Sequence, residues 1–343
     1  MRFAGGMGIE RFAPATDAER TRECYEIYRE ACEVDAPDLP FMPPRVFEGW
    51  LPHGYIGDPR EIWLLTGTDG VAGWYALELP ARDNRHLAFV LPIVPPARRR
   101  RGLGKALLRH AAGRARASSR SLLSGFAWDA AAGEQFARAA GAKGGTPEVC
   151  RVLDLDTVDA DHLASLRAEA ERAAAGYSLV SWAGSVPGEY LDQVAELNRA
   201  MDDAPHDQSQ EGLQWDGARV REAEKRIPLQ GVRCYTAAAR QDSTGELGGF
   251  TQVEVSPEQP DRGFQALTAV ARAHRGHRLG LLLKLAMMDR LAEAEPQVRR
   301  VFTQNAEANE HMIAVNQVLG YRVIGRPIRS WELALARPQQ PQS

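Results

Sequence analysis

At the usual ~100–200 residues per domain, a chain of 343 residues has room for two domains and is too long for one small module. Its 44% hydrophobic and 25% charged residues are those of a globular protein and exclude a largely disordered chain. A net charge of −3 excludes the global basic field of a nucleic-acid or anionic-membrane binder. Cys24, Cys32, Cys150 and Cys234 form no CxxC pair and no Cys/His cluster, so reduced thiols are expected, with neither a disulfide framework nor a metal centre. The opening MRFAGGMGIERF has no apolar stretch suited to a signal peptide, and no run approaches ~20 apolar residues. A cytoplasmic protein without membrane contact is expected.

In chain order, residues 17–32 have helical periodicity, ending near Asp35-Ala-Pro37. Residues 61–66 and 71–79 read as a hairpin around Asp69-Gly70, 86–94 as a third strand and 102–116 as an Ala/Leu/Arg-rich helix. A strand at 121–126, a helix at 130–140 stopped by Gly141, and a strand at 149–155 complete this half. Residues 159–175, strong helix formers after Asp caps, read as a helical linker. The second half is predicted as helix 190–201, strands 232–238, 247–255 and 264–270, helix 279–293, strand 300–303, helix 309–319 and strand 331–336.

The halves look duplicated. Leu91, Val94, Ala97, Arg99, Leu103, Gly104 and Leu107 recur as Leu267, Val270, Ala273, Arg275, Leu279, Gly280 and Leu283, all at an offset of 176. The same offset pairs Gly73 and Glu78 with Gly249 and Glu254. Asp-Ala-Pro also occurs twice, at 35–37 and 203–205. The expected organisation is an α/β protein (an α+β mixed sheet in each half) with domains at 1–156 and 177–343 joined by a linker at 157–176.

Each half runs from a strand ending in Val through an Arg/Gly turn into a helix. Such a turn exposes unpaired N–H groups where the helix dipole favours an anion, and glycine lets the backbone approach it. Residues 84–128 hold ten Lys or Arg and no acid; residues 262–288 hold five and no acid. A pyrophosphate ligand accounts for both windows. A solvated charge run or nonspecific nucleic-acid patch at Arg98–Arg101 accounts for neither the glycines nor the second copy.

Val94-x-x-x-x-Arg99-x-x-Gly102-x-Gly104 resembles the acetyl-CoA pyrophosphate loop of the GNAT superfamily of N-acetyltransferases, and the order of elements is similar to that family's. Two tandem domains of this kind would span nearly the whole chain, an arrangement similar to that of mycothiol synthase. In the second half Arg278 replaces Gly102, while Asn305-Ala-Glu-Ala-Asn309, running on through Asn316 to Gly320, resembles the family's late motif, which packs along the CoA arm. The resemblance implies acetyl-CoA, or another short acyl-CoA, as cosubstrate and no metal. It implies that Val94, Arg99, Arg100, Arg101, Gly102, Leu103, Gly104 and Lys105 bind it in the first half. Val270, Arg275, Gly276, His277, Arg278, Leu279, Gly280, Asn305 and Asn309 would do so in the second, which the fuller late motif favours as the catalytic half.

The resemblance further implies direct attack of an amine on the thioester. The family's usual acid, a tyrosine four residues before the late glycine, is replaced by Asn316 and Ala137, and neither central strand carries a carboxylate. The remaining catalytic candidates are Glu254 (with Glu78 its counterpart), Asn316, and Asp203 in an acidic cluster with Asp202 and His206. The expected reaction is acetyl transfer to a small polar amine. A non-catalytic acyl-CoA sensor or scaffold and a protein-lysine acetyltransferase are the alternatives. No nucleic-acid or membrane partner is expected, and the chain would be a monomer (an internal pseudo-dimer) or a homodimer.

Overall fold

Asp17 starts the first long helix: its carboxylate accepts the Arg20 amide at 3.0 Å, capping α1 (Ala18–Asp35). The computed structural model describes residues 7–54, 56–203 and 209–336, except the side chains of 202 and 203. The chain divides into two units that are not contiguous in sequence. The first comprises Met1–Pro147, Ser209–Glu211 and Gly325–Ser343; the second comprises Glu148–Gln208 and Gly212–Ile324.

In the first unit, β1 (Gly8–Phe12), β2 (Arg60–Gly67), β3 (Gly70–Glu78) and β4 (Leu87–Ile93) form an antiparallel run. β5 (Leu122–Trp128) then pairs parallel to β4 over Leu87–Phe89. Strict alternation puts Ile62, Leu64, Trp74, Ala76 and Ile93 in a cluster with α1 and α2 (Pro44–Trp50). Leu65, Tyr75, Leu77, Val90 and Leu123 face the other way, onto α3 (Leu103–Ala117). α4 (Ala132–Ala139) follows β5, and β6 (Lys143–Asp154) begins in this unit. Beside β5 lies the last strand among the described residues, β13 (Ile328–Ala334). Residues 328–334 pair antiparallel with it from Ile328↔Trp128 to Ala334↔Leu122.

The second unit repeats the plan. α5 (Ala160–Ala173) is capped by Asp159, and Leu166 and Ala170 bury in the core. The stretch expected as a linker is therefore part of the second unit's core. β7 (Tyr177–Ala183) pairs with β8 (Arg233–Gln241), reached through α6 (Leu191–Arg199), α7 (Gly217–Glu224) and α8 (Arg226–Gln230). β9 (Leu247–Val255) and β10 (Arg262–Val270) continue antiparallel. After α9 (Leu279–Ala294), β11 (Arg300–Ala306) runs parallel to β10 over Arg262–Gln265. β11 then pairs with residues 148–154 of β6, the last strand of the first sequence half. α10 (Glu310–Val318) and β12 (Arg322–Val323) precede β13 (Ile328–Ala334).

Each sheet is thus completed by a strand from the other sequence half, a departure from the expected boundaries at 156 and 177. Loss of the exchanged segment should be severe.

Candidate active site

The two strand-to-helix turns share one backbone plan. In the first, a 3-10 turn at Pro96–Arg98 leads to Arg100 at φ 63° and Gly102 at φ 80°, the cap of α3. In the second, a 3-10 turn at Arg272–His274 leads to Gly276 at φ 89° and Arg278 at φ 52°, the cap of α9. Both therefore place left-handed residues two apart at equivalent positions, with the glycine first in one turn and second in the other. Arg278 in place of Gly102 keeps the conformation, with a side chain bearing the strain. Among the described residues, no acceptor meets the amides of Arg100–Lys105 or of Gly276–Gly280. Unpaired donors at a helix head, with the helix dipole behind them, are the arrangement that suits an anion.

Gly73 and Gly249 hold the strands close behind each turn. A Cβ there would come within 2.9 Å of the Ile93 carbonyl and 2.7 Å of the Ala269 carbonyl, so the β3–β4 and β9–β10 contacts require glycine. Beyond Phe89–Ser124 and Gln265–Thr303, the parallel ladders β4/β5 and β10/β11 end although the strands continue, which opens a cleft toward each turn.

The turn side chains divide into builders and bystanders. The Arg99 guanidinium makes a two-pronged pair with Asp35 at 2.7 and 2.8 Å, and its Nε donates to the Val94 carbonyl at 3.2 Å. It braces the turn, and Asp35 is spoken for. Arg100 and Arg101 are exposed, and among the described residues no acid pairs with either. In the second turn Arg278 pairs with Glu169 at 2.8 Å, and the His277 ring lies 3.2 Å from the Ala173 carbonyl. Both side chains turn to α5, leaving the main-chain amides of the turn without these side chains beside them. His274 Nδ1 shares a hydrogen bond with the Tyr177 hydroxyl at 2.8 Å.

The late motif splits likewise. Asn316 is fully buried, and its Nδ2 donates to Asn305 Oδ1 on β11 at 2.8 Å. Its own Oδ1 has no partner among the described residues. A buried orphan acceptor is costly and marks a place for a donor, here beside the strand cleft. Asn309 instead caps α10, accepting the Met312 amide at 3.3 Å.

Glu254 is not a free base. Arg226 clasps both its carboxylate oxygens, one at 3.0 Å, and both side chains are nearly buried. Glu78 repeats the arrangement with Arg60 at 3.1 Å. Burial is the larger influence on that pair, raising the Glu78 carboxyl and lowering the Arg60 guanidinium despite their attraction. These buried pairs tie β9 to α8 and β3 to the start of β2. Arg226→Ala leaves an uncompensated charge and should cost ~3–5 kcal/mol, read as a fall in the unfolding midpoint. Asp203 closes a 3-10 turn at Ala200–Asp203, and its side chain, with that of Asp202, lies outside the described residues, as does His206. Cys150 and Cys234 are buried, and burial pushes the Cys150 thiol up to about 11, away from nucleophilic use. Among the described residues no three His, Cys, Asp or Glu side chains converge on a metal position, and no helix is long and apolar enough to cross a membrane.

Sequence reading missed a buried polar chain under α9. Lys284 Nζ donates to Gln265 Oε1, which also accepts the Tyr321 hydroxyl at 3.1 Å. Gln265 Nε2 reaches Thr251 at 2.6 Å, and Thr251 reaches Thr268 at 2.7 Å. Burial without a carboxylate lowers the Lys284 amine from 10.5 to about 7. The folded chain thus binds fewer protons than the unfolded chain between about pH 7 and 10.5, so this contribution to stability rises with pH across that window. Lys284→Met keeps the volume and removes the buried amine. It should raise stability at neutral pH by roughly a few kcal/mol and flatten that slope, as read by unfolding at pH 7 and pH 10.

The sequence profile of the acetyltransferase (GNAT) family matches residues 21–139. A tandem GNAT protein from the clavulanic acid biosynthesis pathway, solved without AcCoA, is 31% identical, with a TM-score of 0.80 over 97% of this chain and 100% of that one. A GCN5-related N-acetyltransferase from Sphaerobacter thermophilus is similar in fold, at 16% identity, a TM-score of 0.69 and 98% of each chain. So is a putative acetyltransferase from Pyrococcus horikoshii, at 16% identity and a TM-score of 0.57 over 99% of this chain and 93% of that one. No curated protein compared with the sequence matches it.

Proposed function

The chain belongs to the GNAT family of acetyltransferases, and from that premise we propose that it is an acetyl-CoA-dependent N-acetyltransferase acting on the amine of a small polar molecule. The observation that carries the reading is the pair of turns with unclaimed amides and matching left-handed residues at the heads of α3 and α9. A diphosphate needs several convergent donors and a favourable dipole, and each turn supplies both. Arg100 and Arg101 would add charge in the first half. In the second, Asn305 and the unpartnered Asn316 oxygen suit an arm carrying amide N–H groups.

Holding both reactants in one cleft supplies much of the rate. An amine of pKa ~10 enters mostly protonated, so a proton must leave before or during attack on the thioester carbonyl. The C–N bond forms, the C–S bond breaks, and the CoA sulfur departs as the thiol.

A second reading, a non-catalytic acyl-CoA binder, is favoured by the ion pairs that occupy Glu254 and Glu78. The deciding experiment combines acetyl-CoA titration by calorimetry with thiol release over a panel of amines. Binding with steady thiol release is expected. Binding with no release from any amine would favour the sensor, and no binding would refute both.

A further inference from the structure

Strand exchange delivers a carboxylate that neither sequence half holds in its own central strands. In the first unit the pairings Arg60↔Glu78, Glu78↔Phe89, Phe89↔Ser124 and Ser124↔Glu332 set one row across the sheet. The corresponding row in the second unit is Cys234↔Glu254, Glu254↔Phe264, Phe264↔Phe302 and Phe302↔Val152. Where the second unit has a buried valine, the first has Glu332.

The neighbours of Glu332 are polar and incompletely satisfied. Leu333 and Leu335 pack on the α3 side with Leu123, so alternation puts Ser330, Glu332 and Ser124 on the opposite face, shared with α1 and α2. Ser124 (0% exposed) and Ser330 (4% exposed) both have hydroxyls without partners among the described residues. Phe126, opposite Ser330, leaves 48% of its surface exposed although it is a large apolar side chain in a strand. Glu332 hydrogen-bonds the Ser209 hydroxyl, and the Ser209 carbonyl lies 2.8 Å from His86 Nε2. Unlike Glu78 and Glu254, Glu332 pairs with no Lys or Arg among the described residues.

We propose that Glu332, Ser124, Ser330 and Phe126 form the amine-acceptor site of the first unit, with Glu332 as the base; this rests on the acetyltransferase reading above. Glu332 lies two strands from β4, about 10 Å across the sheet, on the row where the parallel ladder ends and the cleft opens. The site suits a primary amine with an apolar surface for Phe126 and polar atoms for the two hydroxyls. The amine attacks as its free base. As the C–N bond forms, the nitrogen becomes cationic and strongly acidic, and Glu332 accepts its proton directly or through one water. The C–S bond breaks, the thiolate takes a proton from water, and Glu332 returns its proton to solvent. Catalysis is thereby assigned to the first unit, in place of the second that the late motif suggests.

The test is thiol release from acetyl-CoA with ethanolamine, glucosamine and 1,4-diaminobutane, alongside calorimetric acetyl-CoA binding and thermal unfolding. Glu332→Gln should lower kcat about 100-fold or more, with acetyl-CoA affinity and unfolding midpoint unchanged, and Glu332→Asp should restore part of the loss. Ser124→Ala, which removes only an unpartnered hydroxyl, should raise the amine KM about 10-fold without altering acetyl-CoA binding. Glu332→Gln with near-normal kcat overturns the assignment, as does an unchanged amine KM in Ser124→Ala. If the unaltered chain releases no thiol with any of these amines, the acetyltransferase reading fails first and takes this assignment with it.

Discussion

Reversing charge in both turns, as Arg100→Glu and Arg101→Glu with Gly280→Asp, is expected to lower acetyl-CoA affinity by about 100-fold or more without lowering the unfolding midpoint. Arg100 and Arg101 are exposed and bind no acid among the described residues, so replacing them breaks no internal contact. Arg100 is already left-handed, and glutamate bears much the same strain there. Gly280 is the second residue of α9, and a Cβ added there meets nothing within 4 Å. Aspartate in a first helical turn also improves on glycine through the dipole. Toward a diphosphate the effect reverses: like charges ~5 Å apart at an effective dielectric of ~20 cost about 3 kcal/mol, more than two decades of affinity. Arg99 is unsuited to this test, because Asp35 and the Val94 carbonyl depend on it. Calorimetry with acetyl-CoA reads the result, and undiminished affinity in the triple variant would remove the diphosphate from both turns.

The second large effect concerns folding. A fragment ending at residue 156, the boundary that repeat spacing suggests, should fail to unfold cooperatively because it lacks β13. That strand supplies seven paired residues against β5, among them buried Trp331, and is followed by buried Leu335. Two large buried side chains at ~1.5–3 kcal/mol each, with the ladder hydrogen bonds at ~0.5–1.5 kcal/mol apiece, equal or exceed the 5–15 kcal/mol by which domains are usually stable. The fragment would also expose residues 148–154 of β6, which pair with β11 in the full chain, as an open edge. A single cooperative transition for the fragment on circular dichroism would contradict the exchange.

Elements with strong periodicity or punctuation were legible in the sequence. The residues expected as α1, α3, α9 and the hairpin β2–β3 lie where the structure has those elements, because apolar spacing, Asp caps and Asp69-Gly70 act locally. β1, GIERF, was missed because its inner and outer faces differ little in polarity, and α7 and α8 are short and charged. The turns were legible because main-chain geometry follows the Arg/Gly pattern, whereas the hydrogen bond between Asn316 and Asn305 emerges only from the fold. Side-chain partnership was not legible. Glu254 in an apolar strand reads alike whether it faces solvent or Arg226, and only the fold supplies Arg226. Glu332 was invisible for a different reason. It reaches β5 by strand exchange, a pairing across more than two hundred residues that no local pattern encodes.

Main-chain amides at the two helix heads are expected to bind one diphosphate-bearing cosubstrate. Hydrogen exchange of the full chain, with and without saturating acetyl-CoA, addresses those amides directly. Slowed exchange within residues 99–105, residues 275–281 or both is predicted. Saturable acetyl-CoA binding that leaves exchange in both segments unchanged would contradict it.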